Sequence, residues 1–175
     1  LASYLLPLFI ESFSKLYPLV ELTVYEMKTE DIIDALKHDR IDGGILVTPL
    51  HEEQLYEKVL FYEPFQVYLS KKHPLAKHHI IDETKISSDD LWLLQDGHCF
   101  KNQVMKVCSL KKEKDVYQNI HFAGGGLETL RNMIKKGQGL TLVPYLFTFH
   151  LSSDERRDHC RELSKPVPFR EVSLV

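Results

Sequence analysis

Leu127-Glu128-Thr129-Leu130-Arg131-Asn132-Met133-Ile134-Lys135-Lys136-Gly137-Gln138-Gly139-Leu140-Thr141-Leu142-Val143-Pro144 is the stretch that decides the fold class. Gly124-Gly125-Gly126 leads into a helix over Leu127–Lys136, which Gly137 and Gly139 end as glycines commonly end helices. Residues 140–143 then read as a strand. The same alternation runs upstream. Leu5, Leu8, Phe9, Phe13 and Leu16 recur at helical spacing until Pro18 stops the pattern. Val20, Leu22 and Val24 alternate as in a strand over residues 20–25, and a short amphipathic helix with Ile32, Ile33 and Leu36 follows Thr29. Asp42-Gly43-Gly44 punctuates before Ile45-Leu46-Val47, a buried-strand candidate. Helices alternating with strands predict an α/β fold with largely parallel strands.

Between these ends the pattern repeats. Residues 65–69 form a strand candidate, residues 71–79 a polar loop containing His73-Pro74-Leu75, and residues 91–94 an apolar run ended by Asp96-Gly97. A helix is expected over residues 99–110, then a lysine-rich loop and a strand around residues 120–122. Two α/β lobes result: residues 1–63 form the first part of lobe one, 64–162 lobe two, and 163–175 a return to lobe one. Glu171–Val175 is the strand candidate in that return. No repeat at a solenoid period is evident.

The 175 residues are 43% hydrophobic and 27% charged, the composition of a globular protein able to bury a core. The net charge is −3 and the pI near 6.3, and with no basic stripe of the kind that binds nucleic acid this segment alone is not expected to grip DNA. The clusters Lys71-Lys72 and Lys111-Lys112-Glu113-Lys114 read as solvated loops. The apolar run 140–149 is broken by Pro144 and falls short of the roughly 20 residues of a spanning helix. The chain begins inside an apolar stretch without a start methionine, so it is expected to be a piece of a longer polypeptide. Cys99, Cys108 and Cys160 have no regular spacing and make no secreted disulfide framework. A reducing compartment, the cytoplasm, is expected.

Chemistry concentrates in Asp96-Gly97-His98-Cys99-Phe100-Lys101-Asn102-Gln103-Val104-Met105-Lys106-Val107-Cys108. If Cys99 opens a helix after the Gly97 turn, Cys108 lies roughly 180° around the axis and about 13 Å along it. A disulfide needs Cα atoms within about 7 Å, so bridging these two demands unwinding. On the helical wheel Phe100, Val104, Val107 and Cys108 span an apolar arc, with Lys101, Asn102, Gln103 and Lys106 opposite. Cys108 sits at the edge of the buried face and Cys99 outside it. A thiol at a helix N-terminus beside an imidazole is set to have a lowered pKa. Its thiolate can attack hydrogen peroxide to give a sulfenic acid, which a second thiol condenses to a disulfide. Cys99 is then the reactive cysteine, Cys108 the resolving one, and His98 an activating or hydrogen-bonding neighbour.

Blander readings stand beside this one. Buried free cysteines are common small hydrophobes, and two of them nine positions apart are a weak signal alone. Nine histidines allow a zinc site, but the short cysteine pairs such sites use are missing. Gly124-Gly125-Gly126 belongs to no G-x-G-x-x-G or Walker pattern. No cofactor or metal is expected. His51 and His73 are expected in solvated loops, and Cys160 is taken as structural.

Several segments together resemble the effector domain of LysR-type transcriptional regulators. They are Glu63-Pro64-Phe65-Gln66-Val67-Tyr68 followed by His73-Pro74-Leu75-Ala76, and Glu128-Thr129-Leu130-Arg131 through Gly137-Gln138-Gly139-Leu140-Thr141-Leu142-Val143-Pro144. Within that family, Asp96-Gly97-His98-Cys99 with Cys108 is similar to the peroxide-sensing branch. The resemblance runs from about Tyr4 to Pro144. It implies two Rossmann-like lobes resembling periplasmic binding proteins, with Cys99 peroxidatic, Cys108 resolving and His98 beside them. It implies that Thr29 binds hydrogen peroxide, although Thr29 equally reads as the N-cap of a helix over residues 30–38. Asn102 stands where many relatives carry an aspartate. The partners implied are a second copy in a homodimer or tetramer, promoter DNA through a winged helix-turn-helix outside this chain, and RNA polymerase. Thiol reductants such as glutaredoxin or thioredoxin complete the set, and no membrane is involved. Two other functions fit the same residues: a thiol peroxidase, and a LysR-type domain binding an organic effector with incidental cysteines.

Overall fold

The computed structural model describes residues 1–94, 99–109, 116 and 126–175, with Cys99 given by its backbone. Two units divide the chain: Leu1–Phe61 with Glu171–Val175, and Tyr62–Arg170. The chain therefore passes between them twice, at 61/62 and at 170/171.

The first unit holds helices α1 (Ala2–Leu16) and α2 (Thr29–Lys37) and strand β1 (Ile45–Thr48). Glu30 and Asp31 in the first turn of α2 and Lys37 in its last complement the helix dipole. Gly44 lets α2 approach β1: a Cβ there would stand 2.7 Å from Ile32 Cγ2. β1 pairs antiparallel with the end of β6 (Phe169–Leu174), Ile45 opposite Leu174 and Thr48 opposite Glu171. Gly44 and Val175 extend that ladder by two backbone bonds of 2.9 and 2.8 Å. Thr48 Oγ1 lies 2.6 Å from Ser173 Oγ and donates to Glu171 Oε1 at 2.7 Å, so the polar groups of this pairing are satisfied.

Strand β2 (Lys58–Leu69) runs out of the first unit and becomes central in the second. There it pairs antiparallel with β4 (Leu140–Pro144) from Phe65–Pro144 to Leu69–Leu140, and with β5 (Cys160–Leu163) on its other edge. β3 (Ile80–Ile81) adds to β5 in parallel, and Leu91 makes a single parallel bridge to Leu140. A strand flanked on both edges and covered on both faces loses its alternation, and Val67, Tyr68 and Leu69 are all fully buried. They form the core with Leu130 and Ile134 of α4 (Leu127–Lys136), with Leu140, Leu142 and Val143 of β4, and with Phe147. The remaining helices are α3 (Cys99–Val107) and α5 (Ser153–His159). Buried Glu155 of α5 accepts from Tyr68 Oη of β2 and from Arg131 and Lys135 of α4, fastening that helix to the sheet.

The α/β class and the helix over Leu127–Lys136 stand as expected. Two expectations are corrected. Among the described residues strand pairing is mainly antiparallel, because the partners of β2 come from far along the chain and run opposite to it; alternating elements do not specify which strands become neighbours. Residues 20–25 form no strand: their apolar alternation is present, but among the described residues no ladder partner pairs with them, and Val20, Leu22 and Val24 stay exposed. The strand expected around residues 120–122, Gly124, Gly125 and the lysine cluster 111–114 lie outside the described residues.

Candidate functional site

Helix α3 carries both cysteines of interest at its ends. Cys99 is its first residue, and Cys108 is the residue after its last, still donating its N–H to Val104 O at 3.0 Å. The nine intervening steps correspond to about 13 Å of helix, against the roughly 7 Å that a disulfide tolerates. Phe100, Val104 and Cys108, spaced i, i+4 and i+8, form one buried stripe. Cys108 is therefore deeper than the edge position that the wheel assigned it, at 6% exposure. Burial, reinforced by the negative charge of Glu83, pushes its thiol up to about 12. At neutral pH Cys108 is a protonated, shielded thiol.

Phe100 has two partners. Its ring centroid is 5.8 Å from that of Phe65 on β2, and the Arg170 guanidinium carbon of β6 lies over the ring, 5.5 Å from the same centroid. Arg170 is itself held by Glu63 of β2: Nε and a terminal nitrogen both donate to Oε2, at 2.8 and 2.7 Å. Glu63 Oε1 accepts from Leu146 N at 2.8 Å. At 2% and 8% exposure, Glu63 and Arg170 are a buried, hydrogen-bonded ion pair. Sequence reasoning missed both. The available signal was a carboxylate at Glu63 and a guanidinium at Arg170 within strand segments that also carry buried apolar residues. Lys101, placed on the polar side of the wheel, is buried at 5% exposure, because this helix is covered over more than one face.

The other candidates are dispersed. Thr29 stands in the first unit as the first residue of α2, half-buried. The N-cap is Lys28, in extended conformation, which corrects the capping role expected of Thr29: the chain turns helical one residue earlier. His98 lies outside the described residues. His73 is not solvated: its side chain is 7% exposed, and Nδ1 accepts from Leu75 N at 3.1 Å to cap a short 3-10 turn. His51 is exposed. Cys160 opens β5 opposite Tyr68, a free cysteine whose thiol burial pushes up to about 11. Among the described residues no group of three or more His, Cys, Asp or Glu could hold a metal ion. No described helix is long and apolar enough to cross a membrane.

The LysR substrate binding domain model matches residues 1–175, the whole chain. The chain belongs to the LysR substrate-binding domain family. It is similar to the DNA-binding transcriptional dual regulator OxyR of Escherichia coli (strain K12), at 32% identity over 174 residues, covering 98% of this chain and 55% of that protein. It thus spans about half the length of the curated relatives it matches. Among solved structures it resembles OxyR from Porphyromonas gingivalis, with a TM-score of 0.88 and 32% identity over 99% of this chain and 78% of that one. It also resembles a structure of the oxidized form of OxyR, with a TM-score of 0.80 and 30% identity over 100% of this chain and 81% of that one. The LysR-type fold of two α/β lobes expected from the quoted motifs is thereby established, and the buried stripe of α3 belongs to that framework.

Proposed function

We propose that this LysR-type domain senses hydrogen peroxide through a reversible Cys99–Cys108 disulfide and so regulates transcription of oxidative-stress genes. The observation that carries the reading is the placement of two cysteines at opposite ends of one helix, the second shielded and protonated. Likeness over the whole chain to OxyR proteins, one of them solved in an oxidized form, supports it. A thiol at a helix N-terminus is favoured as thiolate by the local dipole. The Cys99 thiolate attacks one peroxide oxygen, the O–O bond breaks, and hydroxide leaves and takes up a proton to form water. Cys108 then attacks the sulfenic sulfur, releasing a second water and forming the disulfide. The helix must unwind for this to happen, which converts a local oxidation into a change of shape. His98 supplies the neighbouring imidazole, and Thr29 a hydroxyl for peroxide.

Oxidation is stoichiometric in this reading, with reduction by a thiol reductant such as glutaredoxin or thioredoxin resetting the cytoplasmic sensor. Assembly into a dimer or tetramer, promoter binding through a DNA-binding domain outside this chain and contact with RNA polymerase complete the scheme. The test is treatment of the reduced chain with about one equivalent of hydrogen peroxide, a ratio suited to a reactive thiolate, followed by disulfide mapping by mass spectrometry. A rapid, dithiol-reversible Cys99–Cys108 link is expected. Free thiols at both positions would sink the proposal.

A further inference from the structure

The ion pair behind Phe100 stands where the chain crosses between units. Glu63 is the second residue of the second unit and Arg170 its last, so their bond ties β2 to β6 at the two crossovers. Glu63 is fully engaged, with Oε2 holding Arg170 and Oε1 holding Leu146 N. The guanidinium carbon of Arg170 also lies over the ring of Phe100, 5.5 Å from its centroid, and Phe65 packs against the same ring. A guanidinium over an aromatic ring is attractive, more so when desolvated, and paired aromatic rings add to it. Phe100 occupies the first turn of α3, directly after Cys99.

We infer that Phe100, gripped by the Glu63-held Arg170, is a latch on the helical, dithiol form, and that Phe100 and Glu63 are positioning residues setting the Cys99–Cys108 redox equilibrium. The inference rests on the peroxide-sensing reading above. Unwinding the first turn of α3 to bring the cysteines together pulls the ring away from Arg170 and Phe65. The latch therefore opposes disulfide formation without taking part in the attack on peroxide. Because the latch closes on the crossover strands, its release changes the side-chain contacts of both together. Glu171, next to Arg170, accepts from Thr48 and begins the β1–β6 ladder of the first unit.

The experiment measures the dithiol–disulfide equilibrium of the 175-residue chain in glutathione buffers, with stopped-flow rates for thiol oxidation and disulfide closure. Phe100→Leu keeps an apolar side chain and loses the aromatic face. It is expected to shift the equilibrium about tenfold toward disulfide, a potential about 30 mV more negative for a two-electron couple. Disulfide closure should accelerate while the first oxidation step stays within about twofold, since the latch acts only on the second event. Glu63→Gln should shift the equilibrium the same way, and the double variant should fall well short of the product, because both changes release one contact. Val104→Ala, which loosens α3 elsewhere, should combine multiplicatively with Glu63→Gln. If Glu63→Gln fails to fold, Arg170→Lys, which keeps the charge but loses the planar face, replaces it in the cycle. An unchanged equilibrium in Phe100→Leu, or multiplicative behaviour with Glu63→Gln, overturns the latch alone. Absence of any Cys99–Cys108 disulfide in the unaltered chain overturns the latch and the peroxide reading together.

Discussion

Arg131 and Glu155 form a two-point ion pair, Nε to Oε1 at 2.6 Å and a terminal nitrogen to Oε2 at 2.8 Å. Tyr68 Oη and Lys135 Nζ add bonds of 2.7 Å each, so one carboxylate joins β2, α4 and α5. Arg131 foremost, then Lys135 and Tyr68, holds the Glu155 carboxyl well below the usual carboxylate range despite its burial. Removing one member of such a pair leaves buried charge uncompensated. Glu155→Gln should destabilise the chain by about 3 kcal/mol in denaturant unfolding at pH 7. A carboxyl with a lowered folded pKa adds stability above its unfolded pKa, and that stability is lost as pH falls through the folded value. The gap between the two proteins should therefore narrow progressively below about pH 4.5. A gap that does not change with pH would contradict this account.

Cys108 in the reduced chain should resist alkylation. With its thiol pushed up to about 12 by burial and by Glu83, it should react with iodoacetamide at pH 8 at least ~100-fold more slowly than an exposed free thiol. The raised pKa also gives a sign for alkaline pH. Its contribution to stability is complete below the ordinary thiol value near 8.5 and is lost as pH rises toward 12. A Cys108→Ala variant should therefore show less alkaline destabilisation than the unaltered chain. Mass-spectrometric labelling kinetics and unfolding at pH 7 and pH 10 check the two statements.

Replacing each proposed redox cysteine separates the two steps of oxidation. Cys108→Ser should leave the rate of the first peroxide reaction within about twofold and trap a sulfenic acid at Cys99 for want of a resolving thiol. Cys99→Ser should abolish rapid peroxide consumption. A dimedone-type probe with intact-mass detection reads both outcomes. Undiminished oxidation in Cys99→Ser would assign the reactive thiol elsewhere.

Gly139 cannot carry a side chain. Its φ is +86°, and a Cβ there would lie 2.7 Å from Asp90 O and 2.8 Å from Trp92 Nε1. Gly139→Ala should cost about 1–3 kcal/mol from the left-handed backbone and the collision together. Trp92 is the sole tryptophan, and its Nε1 donates to Gln138 O at 2.9 Å. Its fluorescence should therefore report the displacement directly. An unshifted emission spectrum would show that the loop accommodates the methyl group elsewhere.

Local signals were most legible where the chain determines structure by itself. The Leu127–Lys136 helix lies where its glycine punctuation places it, and Ile45-Leu46-Val47 falls within β1. Signals failed where a distant partner decides the outcome. Residues 20–25 alternate but meet no ladder among the described residues. β2 begins at Lys58, well before the strand expected over residues 65–69, and continues through Pro64, with Phe65 N donating to Pro168 O. α5 and β5, rich in charge, gave no apolar pattern because much of their role is polar, through the ion pairs of Glu155 and the bonds from Arg161 to Ala76 O. At the site, the cysteine spacing was plain in the sequence. The Glu63–Arg170 pair was not, since 107 positions separate residues that meet only in the folded chain.

The shielding of Cys108 has a further consequence for the proposed chemistry. While the resolving thiol stays covered, a newly formed sulfenic acid at Cys99 waits for the helix to open, and during that delay a second peroxide can carry it on to sulfinic acid. The opening rate therefore fixes a dose ceiling: below it oxidation is recoverable, above it molecules are permanently spent. Sulfinic acid at Cys99 should rise with peroxide concentration once attack outpaces closure, giving the sensor an upper limit of use set by the same packing that holds it silent.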